Sequence, residues 1–171
     1  MKWPEVLNHF SPSNPIWRKG PRKVFVLGGV SGLFLGYLPL APGTWGTLGG
    51  VALIYLLRDC PLPLYVLLCI VVLLMGVWFC AVTQHILKIK DPSKAVIDEI
   101  VGIMITMIGI PVTLGWGLAG FLLFRIFDIW KPAPANIFDE RVKNGWGVMM
   151  DDVVAGIYGN ILLHLMLRAK I

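Results

Sequence analysis

Charge is what this chain has least of. Asp, Glu, Lys and Arg make up 15% of its 171 residues, against about 25% in an average soluble domain. Hydrophobic residues reach 57% and mean hydropathy is +0.76. That imbalance excludes an ordinary water-soluble domain and makes lipid part of the solvent. Cysteine is scarce too: Cys60, Cys69 and Cys80 form no C-x-x-C pair and stand near no zinc-type His pair. Cys69 and Cys80 lie inside an apolar run, where a free thiol acts as a small hydrophobe. Nucleophile motifs are missing as well. There is no G-x-S-x-G, no C-x5-R, no D-x-D-x-T, and no Lys in the Gly-rich run where a P-loop needs one. Residues 1–21 are polar and Pro-rich, with Trp3 and Trp17, and are not expected to be a cleaved signal. Residues 1–22 are expected to form a cytoplasmic or interfacial arm of a single membrane-embedded domain, 1–171. The net charge of +5 suits anionic lipid headgroups better than nucleic acid in so apolar a chain.

What remains is long apolar runs. A crossing helix needs about 20 such residues. Residues 63–82 are continuous and uncharged; 96–110, 114–130 and 153–167 are apolar apart from a few polar groups. Segment 24–57 is too long for one span and is broken by Pro39, Ala41-Pro42-Gly43 and several glycines. Lys and Arg favour the cytoplasmic side. Arg18, Lys19, Arg22 and Lys23 precede the first run, Lys88, Lys90 and Lys94 follow the second span, and Lys131, Arg141 and Lys143 follow the fourth. Alternation then requires 24–57 to make one net crossing. The expected fold is an all-α membrane bundle of about five spans with a Gly-rich re-entrant segment near the N-terminus. Irregular backbone at membrane depth is tolerated where it is buried or lines a polar cavity.

The chain has ten acidic residues, and Asp98, Glu99, Asp128, Asp151 and Asp152 sit in or beside apolar helices. Ionisable groups there are costly and mark function by default. On the alternating topology Asp98 and Glu99 begin an outgoing helix, Asp128 ends a returning one, and Asp151 and Asp152 begin another outgoing one. All five converge on the cytoplasmic face. Carboxylates so gathered repel, and a divalent cation with oxygen ligands, Mg²⁺ above all, removes the conflict. Acids at helix N-termini also complement the helix dipole, which offers a second account of the outgoing pairs but not of Asp128.

Cations stand close by in sequence. Arg125, Asp128 and Lys131 are spaced three apart, so they share a helix face. They read either as a salt-bridged helix end or as a phosphate clamp beside a metal-binding acid. The run from Ala41 to Gly50 is rich in Gly and hydroxyl; as a loop ahead of a helix it offers backbone N–H groups, Thr44, Gly46 and Thr47 to an anion, or serves as a Gly turn with a Thr N-cap. The glycines of 144–152 read as a lead into the last helix, and 136–143 as a solvent loop. Asn160 and His164 share a face of the last helix, as a functional pair or as interhelical glue.

Four segments carry a family resemblance: Ala41-Pro42-Gly43-Thr44-Trp45-Gly46-Thr47; Val96-Ile97-Asp98-Glu99-Ile100-Val101-Gly102; Phe124-Arg125-Ile126-Phe127-Asp128-Ile129-Trp130-Lys131-Pro132-Ala133-Pro134; and Gly147-Val148-Met149-Met150-Asp151-Asp152-Val153-Val154-Ala155-Gly156. In this order the sequence resembles phosphatidylglycerophosphatase A. The resemblance implies a small helical enzyme of the bacterial inner membrane, with its site facing the cytoplasm. It implies Mg²⁺-dependent hydrolysis of phosphatidylglycerophosphate to phosphatidylglycerol and phosphate. Asp98, Glu99, Asp128, Asp151 and Asp152 match the family's acidic motif positions, and serve in this expectation as catalytic and metal-binding residues. Two other classes fit less well. A CDP-alcohol phosphotransferase would carry a D-G-x2-A-R run, absent here, and a transporter would spread polar groups along a through-path.

Overall fold

The computed structural model describes residues 21–39, 41–87, 95–142 and 144–169. Every regular element among them is helical: α1 (Pro21–Val30), α2 (Pro42–Leu56), α3 (Leu62–Leu87), α4 (Ile97–Thr106), α5 (Leu114–Trp130), α6 (Ala135–Arg141) and α7 (Gly145–Ala169), with a 3-10 turn at Leu35–Tyr37. The expected all-α class holds. Residues 1–20 of the expected arm lie outside the described residues, as do Lys88, Lys90, Lys94, Lys143 and Lys170. Pro21 and Arg22, assigned to the arm, instead open α1.

Three helices start earlier than their composition suggests. The run 41–50 is not a loop: α2 begins at Pro42, whose fixed φ is preorganised for a first helical position. Residues 144–152 are not a lead-in either. Asn144 Oδ1 accepts from the backbone N–H of Trp146 (3.1 Å) and Gly147 (3.3 Å), so α7 starts two turns before Asp152. The expected solvent loop 136–143 contains most of α6, with Ala135 at its start fully buried; the side chains of 139–141 lie outside the described residues.

At the centre is α4, with Val101, Ile103 and Met104 wholly buried. It runs parallel to α7. A Cβ on Gly156 would stand 2.5 Å from the Gly102 carbonyl oxygen, and one on Gly159 would meet Thr106. Further along, Asn160 Nδ2 donates to the carbonyls of Thr106 (3.0 Å) and Ile108 (2.8 Å), and His164 Nε2 lies 3.2 Å from Ile108 O. These two side chains therefore act as glue: they satisfy carbonyls that α4 leaves unpaired where it stops. α5 runs the opposite way, with Gly120 over Met107 and Phe124 over Gly102. So does α3, whose Tyr65 hydroxyl donates to Met104 O (2.9 Å) while Gly76 packs near Ile97. α2 follows α4, with Gly43 against Glu99 and Gly50 against Ile103. One end of the bundle thus gathers the starts of α2, α4 and α7 and the ends of α3 and α5.

Among the described residues two helices, α3 and α7, are long and apolar enough to cross a membrane. Large apolar side chains repeat along the outer faces of three helices: Leu67, Leu74 and Trp78 on α3, Leu118, Leu122 and Ile126 on α5, Ile157 and Ile161 on α7. So much contiguous apolar surface is unfavourable in water and matched by hydrocarbon, which makes this a membrane protein. The stretch 96–110, expected as a crossing helix, is helical over ten residues only. Ten residues rise about 15 Å, half of a roughly 30 Å hydrocarbon core. The chain then turns through Gly109, at φ +72. Segment 24–57 is split, as its glycines and prolines suggested, into α1 and α2. Between them Gly32, Leu33 and Phe34 adopt positive φ, and both pieces are anchored on Val96: Val30 O accepts from Val96 N (3.0 Å), and Gly46 packs on its side chain.

The Gly102–Gly156 crossing has no room for a side chain. Gly156→Leu should force α4 and α7 apart and cost about 1–3 kcal/mol, read as a lower midpoint of thermal unfolding in detergent. Gly115→Ala, where a Cβ meets nothing within 4 Å, should stay within about 0.5 kcal/mol. Equal midpoints for the two variants would refute the tight crossing.

Candidate active site

The parallel pairing of α4 with α7 decides which acids meet. Gly102 and Gly156 each stand four residues after an acid, Asp98 and Asp152. Because the glycines touch, the acids one turn earlier are brought together. Carboxylate oxygens of Asp98, Glu99 and Asp152 all lie within 4.8 Å of one another. Asp152 is 4% exposed, and Glu99 Oε2 is buried with no hydrogen-bond partner. Asp98 Oδ1 accepts from the backbone N–H of Glu99 (3.1 Å), which fixes its rotamer at the helix start.

The other two expected acids have cations beside them. Asp128 Oδ2 receives Arg125 Nη1 at 2.5 Å, one turn apart on α5. Asp128 is still near enough for its charge to act on Glu99 and Asp152. Asp151 Oδ2 receives Lys131 Nζ at 2.7 Å, and Asp151 is 7% exposed. Lys131 is the C-cap of α5 at φ 46, so the chain leaves the helix there and its side chain reaches α7. Asp151 and Asp152 lie in the second turn of α7, not at its start, so the helix dipole does little for them. For Asp98 and Glu99, in the first turn of α4, the dipole does contribute.

The structure sets the α2 residues differently from one another. At Gly43 a Cβ would collide with Glu99 Oε1 and stand 2.9 Å from Arg125 Nη1. This close approach brings the start of α2 against the acids. Thr44 is half-buried in the same first turn. Gly46 faces Val96, and Thr47, fully buried, donates from Oγ1 to Gly43 O (2.8 Å). The signal for Gly43 was available: a Gly right after a helix-starting Pro makes a poor helix former and a good point of contact.

Three carboxylates this close repel, by on the order of 4 kcal/mol for two unit charges 4 Å apart at an effective dielectric of 20. The set is all hard oxygen, and one buried oxygen, Glu99 Oε2, lacks a donor. The residues therefore fit a small divalent cation. Mn²⁺ titrated into the protein and followed by electron paramagnetic resonance should bind, and Glu99→Gln and Asp152→Asn should each weaken binding by at least about tenfold. Asp151→Asn should weaken it less. Unaltered affinity in both of the first two variants would remove these carboxylates as ligands.

Comparison with known proteins adds an independent line. No solved structure matches the chain. Phosphatidylglycerophosphatase A of Escherichia coli K12 is 38% identical over 130 residues, 75% of this chain and 76% of that protein. Its namesake from Haemophilus influenzae is 40% identical over 130 residues, 75% of this chain and 80% of its own. A Bacteroides thetaiotaomicron protein, named provisionally as a phosphatidylinositol-3-phosphatase, is 40% identical over 142 residues, 78% of this chain and 87% of its own. The family model for phosphatidylglycerophosphatase A matches residues 30–167, a stretch that holds all five acids, Arg125 and Lys131. The chain belongs to the phosphatidylglycerophosphatase A family.

Proposed function

We propose that the chain removes the terminal phosphate of phosphatidylglycerophosphate, giving phosphatidylglycerol and inorganic phosphate in bacterial phospholipid synthesis. The observation that carries this reading is the meeting of Asp98, Glu99 and Asp152 with two cationic side chains at one end of an apolar bundle. Asp98, Glu99 and Asp152 hold Mg²⁺ in this reading. Bound there, Mg²⁺ supplies a Lewis acid for a phosphate oxygen and lowers the pKa of a coordinated water. Asp128 accepts the proton of the attacking water. The water oxygen bonds to phosphorus, the bond from phosphorus to the glycerol oxygen breaks, and that oxygen takes a proton from solvent water and leaves as an alcohol, while the proton held on Asp128 returns to solvent. Arg125 and Lys131 bind the phosphate oxygens and offset the charge that grows on them. The Thr44 hydroxyl, in the first turn of α2, adds a donor. Gly46 and Thr47 serve the same site through packing, since the first seats α2 on Val96 and the second holds its first turn.

The site lies at the cytoplasmic face of the inner membrane. α2, α3, α4, α5 and α7 make five crossings, α4 completed by the turn after Thr106, and α1 with the turn that follows it forms the re-entrant segment. Supporting this are the alternating helix directions, the outward apolar rows and the basic residues flanking the runs. An Asp–metal phosphotransferase gains no support, because the acids come from three helices and not from one spaced motif.

Phosphate release from phosphatidylglycerophosphate in detergent micelles should need Mg²⁺ and stop with EDTA. Asp128→Asn should lower kcat by at least about 100-fold while the protein still folds and inserts. Phosphatidylinositol 3-phosphate and phosphatidic acid, tested beside it, should turn over more slowly. Full activity in Asp128→Asn would take Asp128 out of the reaction, and no release by folded native protein would overturn the substrate.

A further inference from the structure

A cavity of about 620 Å³ opens beside the carboxylate end of the bundle, between α1, the turn that follows it, α2 and α3. Its size falls within the roughly 300–1,000 Å³ of ligand pockets. Every described residue around it is apolar or Gly, among them Gly28, Gly49, Leu53, Val72 and Met75. Two observations tie it to the site. Ile97 and Ile100 line it and bracket Asp98 and Glu99 in sequence. α2 serves both places: Gly43 touches Glu99 and Arg125, while Gly49 and Leu53, two to three turns along, line the cavity. A third observation concerns the rim. Leu33 is 86% exposed and Phe25 64%, and Leu33 holds positive φ, with its N–H bonded to Gly28 O at 2.8 Å. An apolar side chain kept outward on an unfavourable backbone suits a mouth that opens into lipid.

We infer that this cavity takes an acyl chain of the substrate lipid while its phosphate lies at Asp98, Glu99, Asp152 and Arg125. The inference rests on the proposed lipid phosphatase reading and deepens it. Hydrocarbon is as good a solvent for an acyl chain as an apolar protein wall. The cavity therefore adds little affinity by burial, and its contribution is position: a chain threaded between α1 and α3 fixes the headgroup's distance from the acids. Gly28 and Gly49 keep the passage open, since a side chain at either would press on Phe34 or Leu35.

The test uses the full-length native protein in phospholipid nanodiscs. Phosphatidylglycerophosphate carrying a diazirine midway along one acyl chain is photolysed, and the labelled peptides are mapped by mass spectrometry. Labelling should fall within 24–35 and on Leu53 or Met75, and unlabelled substrate should suppress it. Labelling elsewhere, or equal and unsuppressed labelling by a diazirine phosphatidylethanolamine, would overturn the inference and assign the cavity to bulk lipid. A second measurement narrows the cavity with Leu53→Trp and Met75→Trp. The ratio of kcat/KM for the dipalmitoyl over the dihexanoyl substrate should fall about tenfold, and an unchanged ratio in both variants would refute the inference. If no phosphatidylglycerophosphate is hydrolysed at all, the catalytic reading fails, and the labelling pattern still decides what the cavity holds.

Discussion

The contact between Gly102 and Gly156 is the constraint on which the other features depend. With no side chain on either, the backbones of α4 and α7 approach until a Cβ on Gly156 would stand 2.5 Å from the opposite carbonyl. Helices that close have their flanking residues in register. One turn toward the start, Asp98 and Glu99 meet Asp152; one turn toward the end, Thr106 meets Gly159 and Asn160. Small residues at crossings let helices approach where lipid removes the hydrophobic drive between them. Here the same device fixes the spacing of charged groups. Phe124 closes the crossing from the third side, stacked over Gly102, and so sets where Arg125 and Asp128 come to lie.

The charges at this end divide into two groups. Asp128 and Asp151 hold cations, Arg125 and Lys131, at hydrogen-bond distance. Asp98, Glu99 and Asp152 form the tight set, with one carboxylate oxygen buried and unpartnered. Leaving a buried acceptor without a donor costs about 1–3 kcal/mol, and the proposed cation accounts for that cost. The arrangement also accounts for the cations. Held beside acids, they stay next to the site where a phosphate would arrive, and they can exchange a carboxylate oxygen for a phosphate oxygen of the same charge type. Polar chemistry at one end and acyl-chain space beside it, both built on α2, match a substrate that is half ionic and half hydrocarbon.

Much of this was legible in the chain. Low charge and long apolar runs require lipid as solvent, because so few polar side chains cannot cover a water-facing surface. Asp98, Glu99, Asp128, Asp151 and Asp152 stood out because ionised groups are rare in such runs and costly there, and alternation of basic segments put all five at one end. The glycine and proline breaks in 24–57 indicated that it is not one continuous span. Helix boundaries were less legible. Gly in α2 and in the first turns of α7 reads as loop, since its intrinsic helix propensity is poor. Its service there is to contacts with Val96, Glu99 and the backbone of α3, which are remote in sequence.

By itself, then, the sequence determined the solvent, the helical class and which side chains carry charge into it, since each follows from composition and local order. Only the tertiary structure decided which of five acids form a set and which bind cations. That choice depends on Gly102 meeting Gly156 and on Lys131 leaving the helix at positive φ. It likewise ended α4 after ten residues, with Asn160 and His164 on its last carbonyls, and opened an apolar cavity beside the acids. Distances between residues 50 or more apart in the chain are set by packing, and packing is a property of the assembled helices and not of any one of them.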